Sequence, residues 1–306
     1  MQIHEILAFL DQKGVNYTFQ GDADVAILSF CPLMDLHPEA MTWVRAMDGE
    51  ICERLNRAPS VLAFCDVGQC ENLPLTGNVI LVDNPHRVFF EVLIHFFYHP
   101  EPPRIAETAV IESKNVGRNL VSGHHTFVGN DVVLGDDCVL GNNVSIEGKV
   151  RIGDRVHIDS GCRIGVCGFG HFINEDGTNT RIPHLGSVVI GSDTKIGANS
   201  VVAAGTLGPT GIGSFVLIDG LCYVAHNARV GDRVFVAGGS GIAGSAVVED
   251  DVWISPRCVV NSGATVGSGT FIAMGSIVTT DVPSGQYASG SPAVVRGPVR
   301  KNKYKI

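Results

Sequence analysis

Residues 212–282 read IGSFVLIDGLCYVAHNARVGDRVFVAGGSGIAGSAVVEDDVWISPRCVVNSGATVGSGTFIAMGSIVTTDV, and one rule runs through the whole stretch. An aliphatic residue recurs every six positions: Ile212, Ile218, Val224, Val230, Val236, Ile242, Val248, Ile254, Val260, Val266, Ile272 and Val278. Four residues after each comes a small or β-branched one, from Val216, Cys222 and Ala228 to Ser276 and Val282. A six-residue period fits neither the 3.6 of a helix nor the alternation of a simple strand. It fits a parallel β-helix of triangular section, in which each hexad makes one short face and three make a coil of about 18 residues. Coils of this kind stack at parallel-strand spacing, about 4.8 Å.

The register extends upstream through Val128, Leu134, Leu140, Ile146, Ile152, Ile158 and Ile164, and again through Ile190, Ile196 and Val202. With a one-residue slip it starts at Ile105, Ile111 and Val116. It is broken at 165–189 and at 207–211, and loops that interrupt a regular scaffold are where function concentrates. Glycines directly after the aliphatic residue, such as Gly135, Gly213 and Gly231, are predicted to occupy bends with positive φ. Cys138, Cys162, Cys222 and Cys258 fall on the small interior position, where a cysteine acts as a compact hydrophobe.

Residues 1–100 carry no such repeat. HEILAFLDQKG reads as an amphipathic helix, DVAILSF and VLAFCDV as strands, and NVILVDNPHRVFFEVLIHFFYHP as strand, turn and a helix over about 86–98. The expected organisation is a small α/β domain at 1–100, a β-helix at 101–293 entered through the Pro-rich HPEPP, and a basic tail at 294–306.

The chain has 306 residues, 45% hydrophobic but 7% aromatic and 17% charged, which excludes a disordered chain. Its net charge of −9 argues against a nucleic-acid partner. Of the 22 basic residues, Arg296, Arg300, Lys301, Lys303 and Lys305 lie in the last eleven positions. That leaves 17 against 31 acidic residues, or −14, over the rest. The tail is thus a candidate clamp for a phosphorylated ligand or an acidic carrier protein. No apolar run reaches the ~18 residues of a membrane span, and the start lacks the basic region and cleavage site of a signal peptide. Nine cysteines without a C-x-x-C pair suggest a reducing cytoplasm. None of them lies in a context suggesting a nucleophile. The adjacent His124 and His125 point to opposite sides of a strand, so no metal site is expected.

His226, third in its hexad, is predicted to point outward, just downstream of both interruptions. Gly244 lies one coil further on and should stack beside it, with an unobstructed N–H able to stabilise an oxyanion.

The run GVCGFG, RIPHLG, VVIG, KIGAN, YVAHNARVGD, GIAGS and YASGSPA resembles the bacterial UDP-3-O-acylglucosamine N-acyltransferase family of lipid A synthesis. MTWVRAM and VILVDNPHRVF echo that family's uridine-binding domain. The resemblance implies a left-handed β-helix and a cytoplasmic homotrimer. It implies His226 as general base, Asn227 and Asp219 as its neighbours, and Gly244 as oxyanion and donor contact. It places Trp43 on the uracil, and Phe169, His171 and His184 become candidates for binding the sugar nucleotide. The second active-site histidine of the family is Gly263 here. Where the family has helices that bind acyl carrier protein, this sequence has the basic RKNKYKI. Arg296, Arg300 and Lys301 are therefore assigned to the phosphates of an acyl-coenzyme A donor, acetyl-coenzyme A included. The implied activity is N-acylation of a nucleotide-linked amino sugar. A sugar O-acetyltransferase and a non-catalytic sugar-nucleotide-binding scaffold are the alternatives.

Overall fold

The computed structural model describes residues 1–70 and 73–298. The chain divides into two compact units, Met1–Pro100 and Glu101–Ile306.

In the first unit a five-stranded sheet runs in the order Thr18–Gln20, Asn78–Val82, Leu62–Asp66, Ala40–Trp43, Ser29–Phe30, with the first strand antiparallel. The helix Ile3–Gln12 buries Ile3, Ile6, Phe9 and Leu10, the one-sided spacing of an amphipathic helix. The helix Pro85–Phe97 starts with a proline in its first turn, and the Asn84 side chain accepts from the Arg87 N–H at 3.1 Å. Both helices pack on Leu62, Phe64 and Ile80. The helix Gly49–Asn56, capped by Asp48, has no counterpart in the sequence reading. It is short and polar on average, so it does not stand out in the sequence. Of DVAILSF only Ser29–Phe30 is strand.

The second unit is a left-handed parallel β-helix of three faces, with nine, eight and eleven strands among the described residues. Paired residues along it are 18 apart, as in Leu217↔Phe235, Tyr223↔Gly241 and Arg229↔Val247. Both hexad columns lie inside: Ile212, Ile218, Val224 and Val230 together with Val216, Cys222, Ala228 and Val234 belong to one buried cluster. Burial pushes the thiols of Cys138, Cys162, Cys222 and Cys258 above their ordinary range, as suits packing residues. Large rings are kept outside, where Phe235 stacks on Trp253 at 4.0 Å.

The expectation for the glycines is corrected. Gly135, Gly213 and Gly231 do not have positive φ; the left-handed residue is two positions later, at Asp137, Phe215 and Arg233. The glycines are required instead by crowding between coils. A Cβ on Gly231 would lie 2.4 Å from Asp250 Oδ1, and one on Gly213 2.4 Å from Asp232 Oδ1. The segment read as a tail is also partly structured, since Val294–Pro298 forms an antiparallel strand against Gln286–Ser289.

Candidate active site

Both interruptions leave the prism at the same corner, between the nine-stranded and eight-stranded faces. The first follows Arg163–Val166 and returns at Ser187–Ile190. It carries a hairpin of His171–Ile173 and Asn179–Arg181, and stretches the pairing distance from 18 to 38 residues. The second follows Val201–Ala203 and returns at Pro209–Ile212, with a pairing distance of 22. The next coil turns the same corner with Ala225, His226, Asn227 and Ala228, between strands Tyr223–Val224 and Arg229–Val230. His226 is therefore roofed by two insertions stacked along one edge.

On its other side is Gly244, one coil on. A Cβ at Gly244 would fall 2.6 Å from His226 Cε1 and 2.8 Å from Nε2, so the imidazole lies directly against the glycine backbone. Among the described residues none accepts a hydrogen bond from the Gly244 N–H. His226 Nδ1 is 3.3 Å from Asn227 Oδ1. That oxygen also accepts from the Thr206 N–H at 3.1 Å and hydroxyl at 3.0 Å, and the Asn227 N–H donates to Thr210 Oγ1 at 2.8 Å. Asn227 thus ties the second insertion to the histidine. Its left-handed conformation, φ 60°, is one that asparagine tolerates well.

His226 and Gly244 border a cavity of about 270 Å³ whose walls include Phe169, Tyr223, Gly241, Val259 and Ser262. Among the described residues the lining holds no Asp, Glu, Lys or Arg. It offers an apolar space beside one imidazole and one free backbone N–H, the parts needed to remove a proton next to a developing oxyanion.

A bacterial transferase hexapeptide model of six repeats matches residues 131–165 and 245–280. A UDP-3-O-acylglucosamine N-acyltransferase of Maricaulis maris is 43% identical over 134 residues, 44% of this chain and 39% of that protein. The enzyme of the same name from Shewanella denitrificans is 35% identical over 150 residues, 49% of this chain and 44% of that one. The chain carries hexapeptide repeats and is similar to the UDP-3-O-acylglucosamine N-acyltransferases. It spans less than half the length of these curated relatives. Among solved structures, LpxA from Acinetobacter baumannii is 25% identical with a TM-score of 0.57, covering 63% of this chain and 74% of its own. A UDP-N-acetylglucosamine acyltransferase from Campylobacter jejuni, 23% identical with a TM-score of 0.57 and covering 64% and 75%, shares the fold.

The remaining sequence candidates of this N-acyltransferase-like chain divide. Phe169 lines the cavity, and His171 lies against it with ring centroids 5.6 Å apart. His184 packs on His226 itself, centroids 5.0 Å apart at 61°. Asp219 is on a different corner, where its carboxylate accepts from the Gly220 N–H at 2.7 Å and the Gly238 N–H at 3.1 Å. It holds coils together there rather than sitting beside His226. Trp43 belongs to the first unit, half-buried against His86 with centroids 4.7 Å apart. Arg296 is exposed on the last described strand, on the eleven-stranded face, which does not border the His226 corner. Arg300 and Lys301 lie outside the described residues.

Thr206 and Thr210 were not singled out by the sequence reading, and neither was Cys167. Of the nine cysteines Cys167 alone is exposed, and its Sγ is 3.5 Å from His184 Nδ1. Among the described residues no helix is long and apolar enough to cross a membrane.

Proposed function

We propose that the chain is an N-acyltransferase that moves an acyl group from a thioester to the amino group of a UDP-linked amino sugar, in lipid A or envelope polysaccharide synthesis. The observation that carries this reading is the contact of His226 with Gly244 at the edge of an uncharged cavity, under both insertions. The names borne by the similar proteins support the sugar-nucleotide class. In this reading the amine attacks the thioester carbonyl, His226 takes the proton it releases, and the Gly244 N–H donates to the tetrahedral oxyanion. Base and oxyanion donor contribute about two to four and two to three powers of ten in rate, respectively. Transfer is direct: the C–N bond forms first, giving the tetrahedral intermediate, and its collapse breaks the C–S bond and releases the thiolate, which takes the proton from His226. The donor is acyl-coenzyme A rather than acyl carrier protein, a choice supported by the contrast between the acidic body and its basic end. The working assembly is a threefold homo-oligomer.

The test is a turnover screen of UDP- and TDP-linked amino sugars against acetyl- and longer acyl-coenzyme A and acyl carrier protein thioesters, with product analysis. An amide on a UDP-sugar is expected. An ester product moves the assignment to a sugar O-acetyltransferase. Thermal stabilisation by the UDP-sugar with no turnover on any donor moves it to a non-catalytic binding scaffold.

A further inference from the structure

Among the described residues two buried side-chain polar atoms lack a hydrogen-bond partner, Thr42 Oγ1 and His184 Nε2. The second is in the candidate site. An unsatisfied buried acceptor is costly, and native structures keep few of them. The tautomer of His184 follows from its surroundings. Its Nδ1 is 3.1 Å from the Ile182 carbonyl, so Nδ1 carries the proton and donates, leaving Nε2 with a bare lone pair. The Cys167 Sγ, 3.5 Å from the same Nδ1, lies on the side away from that lone pair.

The Nε2–Cδ2 edge of His184 is the one that lies by Gly168, which also adjoins His226. The two rings meet edge to face, and Gly168 is what lets them meet. A Cβ there would lie 2.7 Å from His184 Nε2 and 3.0 Å from His226 Cβ. The other titratable or charged groups around the pair are few. Arg181 donates to the carbonyls of Cys167 and Gly168 at 3.2 Å, and Tyr223 stands at the cavity wall.

We infer that His184, delivered by the first insertion, is a positioning residue for His226 rather than a contact for the sugar. The inference rests on the acyl-transfer reading. As His226 receives the proton of the attacking amine, positive charge builds on its ring, and the dry lone pair of His184 Nε2 steadies that charged ring above Gly244. The proton passes from the amine to His226 and then to the departing thiolate; His184 neither gains nor loses one.

Two substitutions separate this role from simple packing. His184→Phe keeps a ring of similar shape and removes the lone pair, while His184→Gln puts an amide acceptor in that place. A hydrogen-bond-strength interaction with a charged group corresponds to about a tenfold or larger fall in kcat. That fall is expected for His184→Phe with KM little changed, and His184→Gln should recover most of it. Wild-type kcat in His184→Phe, or an equal fall in both variants, overturns the inference. The same three proteins, labelled at histidine, are compared by ring-nitrogen NMR of His226 under one set of conditions. Its resonances are expected to be displaced in His184→Phe and restored in His184→Gln; no displacement overturns the inference without any substrate being present. Absence of wild-type turnover on every donor and sugar strikes the acyl-transfer reading instead, and leaves the NMR comparison to decide the role of His184.

Discussion

Two corners of the same prism, built from the same hexad, do opposite things. At the corner that follows the eight-stranded face the coils close on one another. The Asp154 carboxylate accepts from the Asp136 N–H, Asp232 from Ser214 and Asp250 from Asp232, each within 2.9 Å. Arg118–Asp136, Arg155–Asp193 and Arg233–Asp251 add ion pairs between coils. At the corner of His226 the corresponding residue of the next coil is Gly244, which has no side chain with which to cap anything. Its own N–H has no acceptor among the described residues, and both insertions fold over that edge. A solenoid becomes a site where the self-capping of its coils is interrupted, and stability and chemistry are thereby given to different edges.

The largest effect should come from the open corner. His226→Ala removes the proposed base, and kcat is expected to fall at least about a hundredfold. The melting temperature should stay near wild type, because the ring lies half-buried outside the prism core. Near-normal turnover in this variant would break the contrast at its functional end. A smaller but definite effect separates the two corners by structure alone. Gly129 and Gly231 both follow the aliphatic residue of their hexads, but Gly231 is on the closed corner and Gly129 on the open one. A Cβ on Gly231 meets Asp250 Oδ1 at 2.4 Å and its backbone N at 2.7 Å, whereas one on Gly129 finds nothing nearer than 3.5 Å. Gly231→Ala should therefore cost about 1–3 kcal/mol in denaturant unfolding, and Gly129→Ala no more than about 0.5 kcal/mol. Equal losses would mean that the closed corner is no tighter than the open one.

The hexad columns made the β-helix legible, because a period that fixes both interior positions of every turn leaves no other way to bury them. His226 and Gly244 were legible for the same reason: once the coil length is known, residues 18 apart are neighbours. What could not be read depends on paths outside the repeat. His184 reaches His226 only because the 165–189 insertion turns back on itself, and no periodicity describes that return. Cys167 meets His184 by the same route. The proximity of Asp219 to His226 in sequence misleads, because seven residues along a coil carry the chain around to the next corner. The reason for the glycines was misassigned because φ and coil-to-coil clearance both select glycine, and only coordinates distinguish them.

The smallest expected effect concerns the ion pairs of the closed corner. The Arg118 guanidinium holds the Asp136 carboxyl below its ordinary value, as Arg155 does for Asp193 and Arg233 for Asp251. A carboxyl whose folded value is depressed contributes stability that is present above its unfolded value, near 3.8, and is lost as pH falls through the folded one. The wild type should therefore melt slightly higher than the Asp136→Asn/Asp193→Asn/Asp251→Asn variant at neutral pH, and the two curves should converge in acid below the ordinary carboxylate range. These pairs stand in solvent, so the gap should also shrink with added salt. A gap that persists in acid or at high salt would assign the closure of this corner to packing and to the backbone caps, with the charged side chains along it contributing nothing.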